Sequence, residues 1–189
     1  MKKLFTLVAL LAMFMGAKAE TIEDRFVDFS TLTDLNYKGK GWWADEAIAR
    51  LSLQDGCLHY HSEEATDPTW AAQFQPITID DPEIGVTYTL HYKIKGSKEE
   101  NISFLGVGQT PYGQFLVTTE WVEGTVDYEC TAADGTFMIQ CGGYIGDFDI
   151  AYLKVTHEGK APRPQEWIEL LTNGDAETPW EDLGLADVA

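Results

Sequence analysis

The sequence predicts an all-β fold, a two-sheet antiparallel β-sandwich or jelly roll. Three observations carry this reading. Short apolar runs of strand length recur along the chain, turn residues separate them, and helical periodicity is almost absent. Residues 45–51 alone have the pattern for a turn or two of helix.

Residues 50–52 lead into the turn Gln54-Asp55-Gly56, and residues 57–61 return from it. Residues 70–79 read as the next strand, closed by Asp80-Asp81-Pro82 and Ile84-Gly85. Along it Trp70, Ala72 and Phe74 share one face, and Ala71, Gln73 and Gln75 the other. Residues 87–95 alternate cleanly. Tyr88, Leu90, Tyr92 and Ile94 point one way, while Thr89, His91, Lys93 and Lys95 point the other, as in a sheet with one wet face. Residues 101–108, 115–119, 124–131, 137–141 and 148–156 complete eight or nine strands. A single closed barrel is the alternative to two packed sheets.

The ends frame this domain. Lys2 and Lys3, the apolar run from 4 to 15, and Ala17-Lys18-Ala19 form the three zones of a cleavable export signal over residues 1–19. A retained N-terminal anchor is the lesser alternative. Residues 20–159 are the expected domain, and residues 160–169, with Pro162 and Pro164, the linker that ends it. The product is expected outside the cytoplasm: secreted, periplasmic or at the cell surface.

No later stretch is long and apolar enough for a membrane helix, so no membrane insertion is expected. The formal net charge is −18, and loss of the leader lysines makes it more negative. Such a surface repels nucleic acid and anionic lipid and leaves neutral ligands as partners. Cys57, Cys130 and Cys141 each lie in an apolar run, and an odd count leaves at least one thiol free. Pairing of Cys130 with Cys141 stays open.

Catalytic machinery is not apparent. No Gly-x-Ser-x-Gly, His-Glu-x-x-His or phosphate-cradling loop occurs. His59 and His61 share one strand face at metal-ligand spacing, without a visible third ligand, so no metal site is assigned. Glycoside hydrolysis needs two carboxylates about 5–10 Å apart in a cleft, a pair that no motif here marks.

Four segments in order carry a family resemblance: "WAAQFQPI", "IGVTYTLHYKIKGS", "EWVEGTVDYECTAADGTFMIQCGG" and "GDFDIAYLKV". Together they resemble carbohydrate-binding modules of the CBM4/9/22 type, which share a galactose-binding-like jelly roll. The resemblance spans residues 70–155. It implies a ligand-stacking aromatic near Trp70 and a polar ligand contact at Gln140 on the penultimate strand. Two departures argue against the calcium such modules often hold: the opening is "EDRFVDF", and Ala151-Tyr152 stand where the family has Asp-Asp. No cofactor is therefore assigned. "LLTNGDAETPW", residues 170–180, resembles the opening of a second module, so residues 170–189 read as the start of a truncated module or as an extra edge strand.

Sugar binding calls for flat aromatic faces against the C–H surfaces of the rings, with side-chain amides or carboxylates for the hydroxyls. Trp42 and Trp43 are adjacent, so one is expected in the core and the other exposed. Trp70, Gln73, Tyr112, Gln140 and Tyr144 complete the expected ligand contacts, and Trp121 is assigned to the core. The resulting expectation is a secreted, non-catalytic module that holds an appended enzyme or cell surface on polysaccharide, with its site on the concave sheet. The alternative is a structural or adhesive spacer of a cell-surface protein with no sugar ligand.

Overall fold

Two antiparallel sheets face each other across an aromatic-rich core in the computed structural model, which describes residues 19–105, 111–131 and 135–159. The elements are β1 (Thr21–Asp28), α1 (Asp45–Ile48), β2 (Leu51–Gln54), β3 (Cys57–Ser62), β4 (Gln73–Thr78), β5 (Thr87–Gly96), β6 (Glu100–Leu105), β7 (Pro111–Val117), β8 (Val122–Glu129), β9 (Thr136–Gln140) and β10 (Gly146–Glu158). One sheet runs β2-β3-β10-β5-β8, with β1 also on β10, and the other runs β4-β9-β6-β7. Residues Thr21–Glu158 form one compact unit. The leader, the linker and residues 170–189 lie outside the described residues. Among the described residues, no helix is long and apolar enough to cross a membrane.

Alternation decides which face each strand buries. On β5, Tyr88, Leu90, Tyr92 and Ile94 are buried, and the intervening residues look outward, as the sequence pattern predicts. Across the sandwich, Tyr92 packs on Phe115 at a ring separation of 4.5 Å, and Tyr128 meets Phe137 edge-on at 4.9 Å. Burying each such side chain contributes about 1.5–3 kcal/mol, so these inter-sheet pairs fix how the layers stack.

β10 is 13 residues long and serves three partners. Residues 146–150 pair with β3, residues 152–158 pair with β1, and β5 runs along its other edge. A register shift between Ile150 and Tyr152 resets the alternation, so that Phe148 and Ile150 on one side of it and Leu153 and Val155 on the other all reach the core.

Three features depart from the sequence reading. β1 is an unanticipated strand, hidden in the sequence by a register shift between Glu23 and Arg25 and by an exposed Phe26 beside a buried Val27. Trp70 lies in a 3₁₀ turn over Thr69–Ala71 rather than in a strand, so it is 56% exposed while Ala72 and Phe74 are buried. Trp121 is not in the core. It precedes β8, is 40% exposed, and has the Lys93 and Lys95 ammonium groups 5.9 and 5.0 Å from its ring centre.

Candidate functional site

On the four-stranded sheet, Phe74, Ile102, Phe115, Phe137 and Ile139 point into the core. Their neighbours Gln73, Ser103, Gln114 and Gln140 must therefore point outward. Register brings these four into line, because Gln73 is opposite Gln140, Gln140 opposite Ser103, and Ser103 opposite Gln114. The result is a row of uncharged polar side chains across all four strands. The amide of Gln140 donates to Oε1 of Gln73 at 3.1 Å, which uses one donor and one acceptor of the several that two amides carry.

Residues 41–44 lengthen this sheet beyond β4. Gly41 N–H and Ala44 N–H donate to the carbonyls of Gln75 and Gln73, and Trp43 bridges Phe74. Adjacent residues on an extended segment face opposite ways, so Trp43 enters the core and Trp42 stands on the outer face, 57% exposed. Oε1 of Gln75 accepts from the backbone N–H of Trp42 at 2.8 Å.

Trp70 is positioned from the other direction. Its loop is moored to the end of β9, where Thr66 N–H donates to Gly142 O at 2.8 Å and Cys141 N–H donates to Ala72 O at 3.0 Å. A Cβ at residue 142 would fall 2.1 Å from Thr66 Oγ1 and 2.2 Å from Thr69 O, so only glycine admits this approach. Beside the moored loop lies a pocket of about 140 Å³ lined by Thr69, Glu100, Asn101, Ser103, Gln140 and Tyr144. The amide row thus runs into a polar pocket, with exposed indoles in the two segments that border β4.

The expected site residues separate on this geometry. Trp42, Trp70, Gln73 and Gln140 border or form the row. Trp43 does not offer a stacking face: it is 6% exposed, packs against Tyr37 and Phe74, and its Nε1–H donates to Gln75 O at 3.1 Å. Tyr144 is also a correction. It is 2% exposed, its hydroxyl donates to Asp147 O at 3.2 Å and lies 3.4 Å from Lys98 O, and it backs the pocket. Tyr112 falls on β7, but its side chain lies outside the described residues. Ser103, Asn101, Gln114, Gln75 and Glu100 were not singled out from sequence. Cross-strand register selects Ser103 and Gln114, the pocket adds Asn101 and Glu100, and the bond to Trp42 adds Gln75, none of which a single sequence displays.

On the opposite sheet, His59 and His61 do share a face of β3, where carboxylates meet them. His59 Nδ1 is 2.8 Å from Asp149 and His61 Nδ1 is 2.7 Å from Asp147, while Lys95 lies 3.5 Å from Asp149. Among the described residues, no group of three or more His, Cys, Asp or Glu is placed to hold a metal ion. Cys57, Cys130 and Cys141 are all buried and form no disulfide. Burial pushes the Cys141 thiol up to about 12 and raises that of Cys57 as well.

These features define a jelly-roll β-sandwich whose four-stranded sheet carries a tryptophan-bordered row of uncharged polar side chains on its outer face. No family model matches the sequence, and no curated protein matches it. Among solved structures, the module BiXyn10A CBM1 aligns at 28% identity and a TM-score of 0.58, covering 72% of this chain and 99% of that one. A family 29 carbohydrate binding module solved in complex with cellulohexaose aligns at 15% identity and a TM-score of 0.50, over 75% of this chain and 93% of that one. Another family 29 module, from Piromyces equi, aligns at 12% identity and a TM-score of 0.50, over 76% and 97%. The family 29 likenesses concern the fold alone. The chain carries a jelly-roll fold like that of these carbohydrate-binding modules, the fold its sequence motifs imply.

Proposed function

We propose that residues 20–159 form an exported, non-catalytic module that binds a neutral polysaccharide across the outer face of the four-stranded sheet. The observation that carries this is the aligned row Gln73–Gln140–Ser103–Gln114, with exposed Trp42 and Trp70 in the segments bordering β4. Indole faces stack on the C–H surfaces of sugar rings, while amides and a hydroxyl exchange hydrogen bonds with ring hydroxyls. A row of this kind fits a polymer, because each strand presents the same type of contact one step along.

The leader-like N-terminus supports export, and the acidity of the chain supports a neutral ligand. Joined to an enzyme or a cell surface, such a module would raise the effective concentration of that partner on its substrate. A spacer with no ligand has no use for two solvent-exposed tryptophans beside an amide row, which is what favours the binding reading over it.

The test is retention of the mature chain, from Glu20 onward, on gels and arrays carrying β-glucans, xylans and mannans. Retention by one polymer class, lost on Trp70→Ala in a protein of unchanged circular dichroism, is the expected result. A folded chain retained by none of them hands the argument to the spacer.

A further inference from the structure

The pocket at the end of the amide row contains one charge of consequence. Among the described residues that line it, Glu100 is the only carboxylic or basic side chain, in the company of Thr69, Asn101, Ser103 and Gln140. Its carboxylate is paired with the ammonium of Lys98. Lys98 does not itself line the pocket, and its Nζ sits 4.9 Å from the ring centre of Tyr144, which forms the pocket's back wall. Glu100 thus lines the pocket while its counter-ion does not. Both side chains retain substantial exposure, 42% for Lys98 and 36% for Glu100, so the pair leaves room for a further contact.

We propose that Glu100 makes this pocket a selector against acidic sugars, so that the ring seated there is a neutral residue and a uronic acid is rejected. The inference rests on the carbohydrate reading above. An ionised carboxylate only accepts hydrogen bonds. A hydroxyl or hydroxymethyl group of a neutral ring can donate to it, forming a charge-assisted bond of the stronger kind. A uronate carboxylate in the same position has no proton to donate and meets a like charge instead. The acidic character of the whole chain, −18 in total, acts in the same direction.

The experiment compares one matched pair, a neutral β-linked oligosaccharide and the same oligosaccharide bearing a single uronate, titrated calorimetrically against the mature chain. Wild-type protein is expected to favour the neutral member on the order of tenfold at low salt, with the ratio shrinking at high salt. Glu100→Gln should bring the ratio toward one, since the amide donates as well as accepts. Glu100→Asp keeps the carboxylate and should keep most of the preference, which separates charge from general damage to the pocket. Equal wild-type binding of both members overturns the role of Glu100 and leaves the carbohydrate reading intact, as does a preference that Glu100→Gln does not change. Wild-type binding of neither member, across the polymer classes tested above, overturns the carbohydrate reading and this inference together.

Discussion

Gln75 and Trp42 hold each other through two hydrogen bonds. The Gln75 backbone N–H donates to Trp42 O at 3.0 Å, and the Trp42 N–H donates back to the Gln75 side-chain Oε1 at 2.8 Å. This clasp has a steric condition. A Cβ at residue 41 would lie 2.2 Å from Gln75 Oε1 and 2.9 Å from Gln75 Cβ, so the glutamine folds over residue 41 only because it is glycine. Gly41→Val should displace Gln75 and loosen Trp42, lowering affinity about tenfold, the scale of a lost interface anchor. Gln75→Ala removes one hydrogen bond and should cost about 0.5–1.5 kcal/mol of stability along with part of the affinity. Urea melts alongside oligosaccharide titrations would check both. Full affinity in Gly41→Val would mean that Trp42 does not depend on the clasp.

The three tryptophans near β4 should behave differently, because two are exposed and one is not. Trp43→Ala opens a cavity among Tyr37, Phe74 and their neighbours and should cost about 3–5 kcal/mol. Trp42→Ala and Trp70→Ala should stay within about 0.5 kcal/mol of the parent in stability while losing at least about tenfold in affinity. Trp121→Ala, whose indole meets Lys93 and Lys95 on the other sheet, should bind as the parent does. Denaturant midpoints and binding constants on the same four variants separate these effects.

Oligosaccharide length should matter up to the width of the row. Neighbouring strands lie about 4.8 Å apart, so the four side chains Gln73, Gln140, Ser103 and Gln114 span about 14 Å. Affinity should climb as rings are added and level off once the chain covers that span and an indole beside it, at about four to six rings. Titrating a homologous series is sufficient. A disaccharide binding as tightly as a hexasaccharide would place recognition in the pocket alone and remove the row from the account.

The cysteines should be chemically silent in the folded domain. Thiolate is the reactive form, and burial keeps Cys141 protonated up to about 12 and raises Cys57 in the same sense. Alkylation at neutral pH should leave the native domain unmodified over the time that fully labels it in denaturant, where mass spectrometry should count all three sites. A count of one in denaturant without reductant would instead reveal a bridge.

Much of the frame was legible in the sequence because alternation and turns are local signals. The outward and inward faces of β5, the β2–β3 hairpin and the opposite facing of Trp42 and Trp43 all follow from neighbours within a few residues. Gln140 was reachable through a resemblance of motifs, and Gln73 through the alternation of its strand. Ser103 and Gln114 were not, because their value comes from Ser103 lying opposite Gln140, far along the chain, and Gln114 lying opposite Ser103, which depends on register between strands. Trp70 was misplaced on a strand because an apolar run does not reveal a 3₁₀ turn at its start. Trp121 was misplaced because an indole can be covered by lysine ammonium groups as well as by a core.

The arrangement of β10 bears on when this domain can fold. Its strand is the hub of the larger sheet, bonded to β1, β3 and β5, yet it is the last of the described strands along the chain. The pairing of Thr21 with Glu158 joins positions at the two ends of the compact unit, among the most distant contacts such a chain can make. Until residue 146 and its successors have emerged from the ribosome, β1, β3 and β5 lack the partner that joins them, and the half-made chain has no six-stranded sheet to collapse onto. Completion of the larger sheet therefore waits on the last strand to be synthesised, and the earlier strands cannot settle into it one by one as they emerge.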